Sequence, residues 1–241
     1  MATQRKLAHP PLREALIDIQ LPAPLPARFV ERLAKRSLPG LEKKQDLKYG
    51  EFEIKLGAPP AELKSVEEPF GCRYDSADGS QVAQLRRNGI AYSVLRDYKE
   101  WPEIRDAARR VWEFYLEQIQ EAVTVGRIAA RYINVLDLPP NIELNEYLTS
   151  APHVPKELPQ TLENFFQRVV VLFPDGIKAI VTQALEPSIE ASRIILDIDV
   201  FAQVTVQGES ADLWSLVDAL RDIKNAVFFS SVTEKTLGRY A

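Results

Sequence analysis

The segment SRIILDIDVFAQVTVQ (192–207) alternates between apolar and more polar side chains over most of its length. Its even-numbered residues from Leu196 to Val206 are all apolar, whereas Asp197 and Asp199 occupy odd positions between them. Successive side chains of a β-strand point to opposite faces, so this pattern predicts a long strand with one buried and one solvated face. Such a strand belongs to an antiparallel sheet that other elements cover on one side.

The first half of the chain, residues 1–124, predicts the order β-α-β-β-β-β-α. Asp78-Gly79 and Asn88-Gly89 are strong hairpin turns because both residue types tolerate positive φ, and they place consecutive strands in an antiparallel meander. Apolar residues at helical spacing after Pro102 predict a long final helix. The predicted strands are 13–21, 48–56, 70–76, 80–87 and 89–97, and the predicted helices are 26–36 and 102–122.

The second half, residues 125–241, predicts the order β-α-β-β-β-α. The predicted strands are 126–138, 168–174, 177–185 and 192–207, and the predicted helices are 143–148 and one that begins after the N-cap residue Ser210. We therefore predict an α+β fold with a tandem β-α-β(3–4)-α pseudo-repeat in one compact unit and the long helices on one face of the sheet. This order is similar to the saddle-shaped fold of the TATA-binding protein and to helix-grip folds, an analogy that carries no function.

Common catalytic and cofactor motifs are missing from the sequence. The two histidines, His9 and His153, lie far apart in proline-rich segments, and together with the single cysteine, Cys72, they show no metal-ligand spacing. No P-loop, G-x-G-x-x-G or G-x-S-x-G motif occurs, so we expect no cofactor. The lack of a long apolar run predicts no membrane span, and with the lone cysteine it indicates a cytoplasmic protein.

The segment AARYINVLDLPP carries Arg131, Asn134 and Asp137 on a strand where apolar residues are expected. They are either a buried catalytic set or residues that serve the fold, and we favour the second interpretation. A buried asparagine must form hydrogen bonds, so we expect Asn134 to bond to the backbone of a neighbouring loop. We expect Arg131 to face a carboxylate such as Glu14 or Asp197 and to help tie the two halves together.

Asp197 and Asp199 are the best candidate pair of catalytic carboxylates. At two-residue spacing both project from the same sheet face, with Cα atoms roughly 7 Å apart. Such a pair could hold Mg²⁺ or act as acid and base in a metal-dependent hydrolase. The alternative is the ordinary solvated face of an antiparallel sheet.

The first half is also the more basic part of the chain. Residues 1–140 contain 22 Lys and Arg against 20 Asp and Glu, whereas the remainder contains 8 against 14. Arg86, Arg87 and Arg96, with aromatic residues between and after them, are candidates for nucleic-acid binding through phosphate contacts and stacking. Acidic residues are interspersed on the helix that follows, however, which is typical of a solvated face with salt bridges.

Three short motifs carry a family resemblance. They are a P-x-x-E-x-x-x-x-I opening with Glu14 and Ile19, a central Arg131-Tyr132-Ile133-Asn134, and a late motif with Phe229, Ser231 and Thr233, in which Val232 replaces the usual leucine. The chain thereby resembles a sporadically distributed family of uncharacterised bacterial proteins. The resemblance implies an accessory, defence-linked or antitoxin-like role on mobile elements and names no reaction.

Our leading hypothesis from the sequence is a non-enzymatic protein that binds a protein partner or forms a homodimer. Its binding surface would be a sheet face or the aromatic C-terminal segment with Val227, Phe228 and Phe229. The alternatives are nucleic-acid binding by the first half and the hydrolase with Asp197 and Asp199. A closed pocket between helices and sheet would instead favour a small ligand.

Overall fold

The computed structural model describes residues 3–52, 65–119, 121–140, 142–160, 162–186 and 192–241. Within these ranges, nine strands form one antiparallel sheet, and the longer helices pack against it. The strands are β1 (Leu12–Gln20), β2 (Lys43–Phe52), β3 (Ser65–Asp75), β4 (Gln81–Arg86), β5 (Gly89–Val94), β6 (Thr124–Leu138), β7 (Phe166–Leu172), β8 (Lys178–Glu186) and β9 (Ser192–Gln207). The helices are α1 (Arg28–Ala34), α2 (Trp101–Glu117), α3 (Ala211–Ser231) and α4 (Glu234–Leu237).

The strand order is β2-β3-β4-β5-β1-β6-β9-β8-β7. The predicted meander is confirmed, since β2 to β5 follow one another across the sheet. The central pair is β1 and β6, whose antiparallel register places Ile17 opposite Ala130. In both halves the first strand therefore lies beside the last strand of the same half, β1 beside β5 and β6 beside β9.

Side-chain alternation separates a buried face from a polar face across the central strands. Ile17, Ile128 and Leu196 are fully buried on the side that the helices cover. Burial of each such side chain contributes about 1.5–3 kcal/mol, so the helices are held mainly by this face. The opposite side, which we call the open face, carries Asp18 and Arg131 at alternate positions.

The helices on the buried face are anchored by specific contacts as well as by apolar packing. Ser210 caps α3, as predicted, by accepting a hydrogen bond from Asp212 N at 3.1 Å. The indole Nε1 of Trp101, at the start of α2, donates to Asp218 Oδ1 of α3 at 2.7 Å. The start of α2 is therefore linked to α3. No helix among the described residues has the length and apolarity to cross a membrane.

Several predicted boundaries need correction, among them the start of β3, which is Ser65 rather than residue 70. Helix α2 ends at Glu117 rather than at residue 122, because the next amides bond three residues back in a tightened last turn and the β-branched residues from Thr124 begin β6. The predicted helix 143–148 is a single 3₁₀ turn, Leu144–Glu146. Strand β2 begins at Lys43 rather than 48, and the predicted portion after Phe52 lies outside the described residues.

Gly89 provides a test of the contact between β5 and β1. It has φ +130°, and a Cβ built there would lie 2.0 Å from Ile19 O. We expect Gly89→Ala to lower the free energy of unfolding by about 3 kcal/mol or more, since backbone must move on two strands. The measurement is urea denaturation.

Gly40→Ala is the matched control, because Gly40 has φ +82° and a Cβ there would meet nothing within 4 Å. Its expected cost is only the left-handed conformation, about 1–2 kcal/mol. Equal losses for the two variants would contradict the close β5–β1 contact.

Candidate functional site

A cavity of about 960 Å³ lies between the helices and the sheet. This volume is within the range of small-molecule sites. Its walls come from four parts of the chain: the N-terminal segment 4–12, the turn 98–102 that leads into α2, strand β6 and helix α3. The cavity therefore exists only because both halves of the chain share one side of the sheet.

The N-terminal segment is held in place over the cavity by the C-terminal end of the chain. The carboxylate of Glu234 accepts hydrogen bonds from Thr3 N at 2.6 Å and from Arg5 Nη1 at 2.8 Å. His9 N donates to Tyr240 O at 3.2 Å. These contacts give the cavity a defined outer wall.

Lys224 is the buried charged group of this cavity. It follows Val217 and Leu220 on the buried stripe of α3 and is 5% exposed. Its ammonium lies 3.4 Å from the centre of the Tyr132 ring and donates to Asn225 Oδ1. No Asp or Glu of the described residues lies within ion-pair distance of it. An aromatic face and an amide oxygen thus replace a counter-ion.

Burial lowers the pKa of Lys224 to about 7, and neighbouring Arg221 acts in the same direction while Asp222 opposes it. Removing an amine from water disfavours its charged form, and a second cation adds to that effect. Near neutral pH the side chain is therefore present both as cation and as free amine. It can bind an anion as the former and accept a proton as the latter.

A tyrosine pair forms the wall beside the lysine. The Tyr132 hydroxyl of β6 donates to the Tyr98 hydroxyl at 2.9 Å, and the two rings meet edge to face with centroids 5.7 Å apart. Burial raises the pKa of both phenols, so they stay protonated at neutral pH. They act as hydrogen-bonding groups and add no negative charge next to Lys224.

The remaining wall is part cationic and part apolar. Beside Lys224 its charged residues are four cations and a single acid, Arg5, Lys6, Lys99, Arg221 and Glu100. Apolar surface comes chiefly from Leu7, Leu12, Trp101, Phe228 and Phe229. A compound with an anionic group and an apolar body would match both kinds of wall.

Phe228 and Phe229, which we named as part of a candidate partner-binding segment, are buried. They are 7% and 8% exposed, and their rings pack edge to face at 5.2 Å. Phe228 follows Lys224 by one helical turn, which brings it onto the buried stripe. Both phenylalanines line the cavity, as does Asn134.

Asn134 is buried, as predicted, but its partner is different. Its Nδ2 donates to Leu196 O at 3.1 Å, which belongs to the neighbouring strand β9 and not to a loop. The side chain lies on the helix-facing side of β6, where alternation also places Tyr132. Asn134 thus tethers β6 to β9 at the floor of the cavity.

The other predicted polar residues lie on the open face in a group that we call the ion-pair network. Asp18 is paired with both Arg86 and Arg127, the latter at 3.0 Å, and Arg127 also reaches Asp199 at 3.2 Å. Because Asp18 belongs to the first half and Arg127 to the second, this network ties the halves together. Arg86 reaches across β5 because the open-face residues there, such as Ala91, are small.

Arg131 pairs with Asp197, one of the two partners that we predicted. Its Nε and Nη2 donate to the two carboxylate oxygens at 2.9 and 2.6 Å. The hydrogen bonds that Arg131 donates to Asp197 are the main cause that raises the pKa of its guanidinium, and Glu14 contributes a smaller electrostatic effect in the same direction. The pair joins β6 to β9 within the second half, so the tie between halves comes from Arg127 instead.

Asp197 and Asp199 share a face, as predicted, and each is engaged by an arginine. Burial raises the pKa of Asp199, although Arg127 and Arg131 oppose that shift. Among the described residues no three His, Cys, Asp or Glu side chains are grouped so that they could hold a metal ion. The geometry at this pair is that of a structural ion-pair network.

The three arginines proposed for nucleic acid do not meet in one patch. Arg86 belongs to the ion-pair network, Arg87 Nε donates to Leu25 O at 2.6 Å, and Arg96 Nη2 donates to Asp78 O at 2.6 Å. Each guanidinium is thereby occupied by a local contact.

Comparison with known proteins adds nothing to this geometry, because no family model and no curated protein matches the sequence. Lys224, the central residue of the cavity, was not among the residues predicted from the sequence. The signal was present: Lys224 lies seven residues after Val217 and four after Leu220, which is the spacing of the buried stripe.

The ion-pair network predicts a graded loss of stability. Asp18→Asn leaves the Arg86 guanidinium beside a neutral amide and Arg127 with Asp199 as its remaining carboxylate, so we expect the free energy of unfolding to fall by about 3 kcal/mol. Arg131→Ala should cost less, about 1 kcal/mol, because the Arg131 side chain is 43% exposed. Glu113→Gln, in an exposed pair with Arg109, is the control and should cost a few tenths of a kcal/mol. Chemical denaturation ranks the three, and a different order would contradict the assigned role.

Lys224→Met should stabilise the protein in a pH-dependent way. Between pH 7 and 10.5 the unfolded lysine holds a proton that the folded one has lost, so wild-type stability rises with pH in this window. Below pH 7 the cost of the buried charge is fully present. We expect the variant to be more stable by on the order of 2–4 kcal/mol at pH 6, with a gap that narrows by pH 10.

Thermal or urea unfolding at several pH values measures that gap. Lys235→Met is the control, because Lys235 also lies over a tyrosine ring, Tyr147, but is exposed and outside the cavity. A pH-independent difference between wild type and Lys224→Met would show that Lys224 does not titrate near neutrality.

Proposed function

We propose that this protein binds a small amphipathic organic anion, a carboxylate on an aromatic or aliphatic body, in the cavity between α2, α3 and the sheet. The observation that carries the proposal is Lys224: a buried amine that faces a cavity of ligand size with no carboxylate partner among the described residues. A bound carboxylate would supply the missing counter-ion.

The energetics favour a charged ligand over a neutral one. A buried ammonium without a counter-ion is costly, and a partner that removes this cost gains more than the same pair would in water. The cations Arg5 and Arg221 at the wall add attraction, although each also has an acidic neighbour. The carboxylate would therefore be drawn to the Lys224 side of the cavity.

The apolar wall determines which anions fit. Trp101, Phe228 and Phe229 offer aromatic surface within the same cavity. An inorganic anion would leave this surface in contact with water, whereas an aromatic or aliphatic body would cover it and gain about 25 cal/mol per Å². We therefore favour organic carboxylates over phosphate.

Proton linkage follows from the same group. A bound carboxylate stabilises the charged amine and raises the pKa of Lys224, so binding takes up a proton when the free amine has lost it. Affinity should be highest below pH 7 and should fall as the pH rises above it.

The resemblance to the sporadically distributed bacterial family stays a prediction, as does the accessory, defence-linked role that it implies. The positions of its motifs are consistent with a role for the cavity. Pro11 of the opening motif, Tyr132 and Asn134 of the central motif and Phe229 of the late motif all line its wall. Ligand binding would thus use residues from each of the three motifs.

We further propose that the two halves arose by duplication, with the overall shape of the TATA-binding protein. The support is the shared order of elements and the placement of β1 and β6, each beside the last strand of its own half.

Titration calorimetry with benzoate and octanoate at pH 6.5 tests the binding proposal, with benzyl alcohol as the neutral analogue. We expect both carboxylates to bind, the alcohol to bind weakly or not at all, and carboxylate affinity to fall at pH 8.5. Lys224→Met should weaken carboxylate binding about 30-fold or more, since a buried charge pair is lost.

Lys235→Met again serves as the control and should bind as the wild type does. If neither carboxylate binds, or if Lys224→Met binds them as well as Lys235→Met, the proposal is wrong.

A further inference from the structure

Strand β7 is an exposed apolar edge of the sheet, on the opposite side from β2. It pairs only with β8, and most of its large side chains are open to solvent: Phe166 71%, Val169 44%, Val170 52%, Val171 39% and Leu172 68% exposed. No helix of the described residues covers either of its faces. Edges of this kind are templates for pairing with another strand.

Strand β7 has only one of the usual protections of an edge, the single exposed charge of Arg168. Its sequence, FQRVVVL, contains no proline and no lysine, and its register with β8 runs without a bulge from Phe166 to Leu172. The other edge, β2, reads KKQDLKYGEF and carries several charges. Natural sheets place charges, prolines or bulges on edge strands that stay unpaired. The difference between β2 and β7 therefore indicates that β7 pairs with another strand.

The hydrogen bonds at the two ends of β7 show which of its backbone groups face away from β8. Phe173 N donates to Ile177 O at 2.8 Å, and Leu185 N donates to Phe165 O at 3.1 Å. Residues 165 and 173 therefore face β8. Because backbone groups of a strand alternate in direction, Phe166, Arg168, Val170 and Leu172 turn their N–H and C=O groups outward.

We propose that β7 pairs antiparallel with β7 of a second copy of this chain, about a two-fold axis at Val169. This register sets Phe166 opposite the partner subunit's Leu172, and Arg168 opposite the partner subunit's Val170. All four outward-facing residues of each strand then exchange hydrogen bonds with their opposites. Any shift of the axis along the strand shortens the overlap and leaves some of these groups unpaired.

The side chains also suit a second copy. Arg168 lies opposite an apolar residue, so no like charges are directly opposed, which would destabilise the pair. Val169 lies opposite the partner subunit's Val169 in a non-hydrogen-bonded pair, where side chains come closest. The exposed valines of both copies are covered together, and the sheet continues across the two-fold axis. The cavity residues lie on other elements, so dimerisation is independent of ligand binding.

Charge substitutions at Val170 test both the dimer and its register. Wild type should sediment with twice the chain mass of 27.2 kDa. Val170→Lys sets a lysine opposite each Arg168 and should give monomers. Val170→Glu creates two cross-strand ion pairs and should lower the dimer dissociation constant by about fivefold.

Val171→Lys and Val171→Glu are the matched controls, since position 171 lies opposite the neutral Gln167 of the partner subunit. These two should affect dimerisation equally. Position 170 is exposed, so all variants should fold, and circular dichroism checks this. A wild type that stays monomeric at 100 μM, or equal effects of lysine and glutamate at position 170, would overturn the proposal; the latter would indicate an unrelated strand as partner.

Discussion

The pairing of β1 with β6 is the interaction on which the rest of the structure depends. Its register places Ile17 opposite Ala130, so the apolar residues of the two halves form one continuous surface and α2 and α3 share it. The same register sets Leu12 opposite Asn134, which carries the residues before β1 across the cavity. On the open face it brings Arg127 to Asp18. Core, cavity and ion-pair network are consequences of one strand pair.

The two faces of the sheet differ in whether their buried cations have carboxylate partners. On the open face each half-buried cation of the network has a carboxylate partner, so these ion pairs serve the fold. On the helix side Lys224 has an aromatic ring and an amide oxygen but no acid within ion-pair distance among the described residues. A buried charged group that lowers the stability of the fold and has no counter-ion is typical of a functional site, where some stability is lost in favour of binding.

The proposed ligand site and the proposed dimer edge lie on different parts of the sheet. The cavity is built at the central strand β6, where helices cover the sheet, whereas β7 lies beyond the reach of α3. The proposed dimer would therefore form whether or not the cavity is filled. This separation also means that each property can be altered by substitution without the other.

Local patterns in the sequence were sufficient for most of the secondary structure. The alternation in 192–207 and the Asn88-Gly89 turn depend on side-chain direction and positive φ, which neighbouring residues specify. The end of α2 at residue 117 and the short 3₁₀ turn at 144–146 were predicted wrongly. Whether a last helical turn continues or gives way to the next element depends on tertiary packing. The partner of Asn134 was also missed, since hydrogen-bond partners depend on which strand lies alongside.

By itself, then, the sequence determined the strands, the turns, the order of elements and the pairing of Arg131 with a nearby carboxylate. Only the tertiary structure decided that Lys224 is buried, that Phe228 and Phe229 line a cavity, and that β7 is left uncovered. Periodicity in the sequence shows that a helix has an apolar side. A lysine at the border of that side fits the pattern whether its amine is solvated or buried, so the pattern does not distinguish the two. That difference arises from β6 and the N-terminal segment, which are far from Lys224 in sequence and adjacent to it in space.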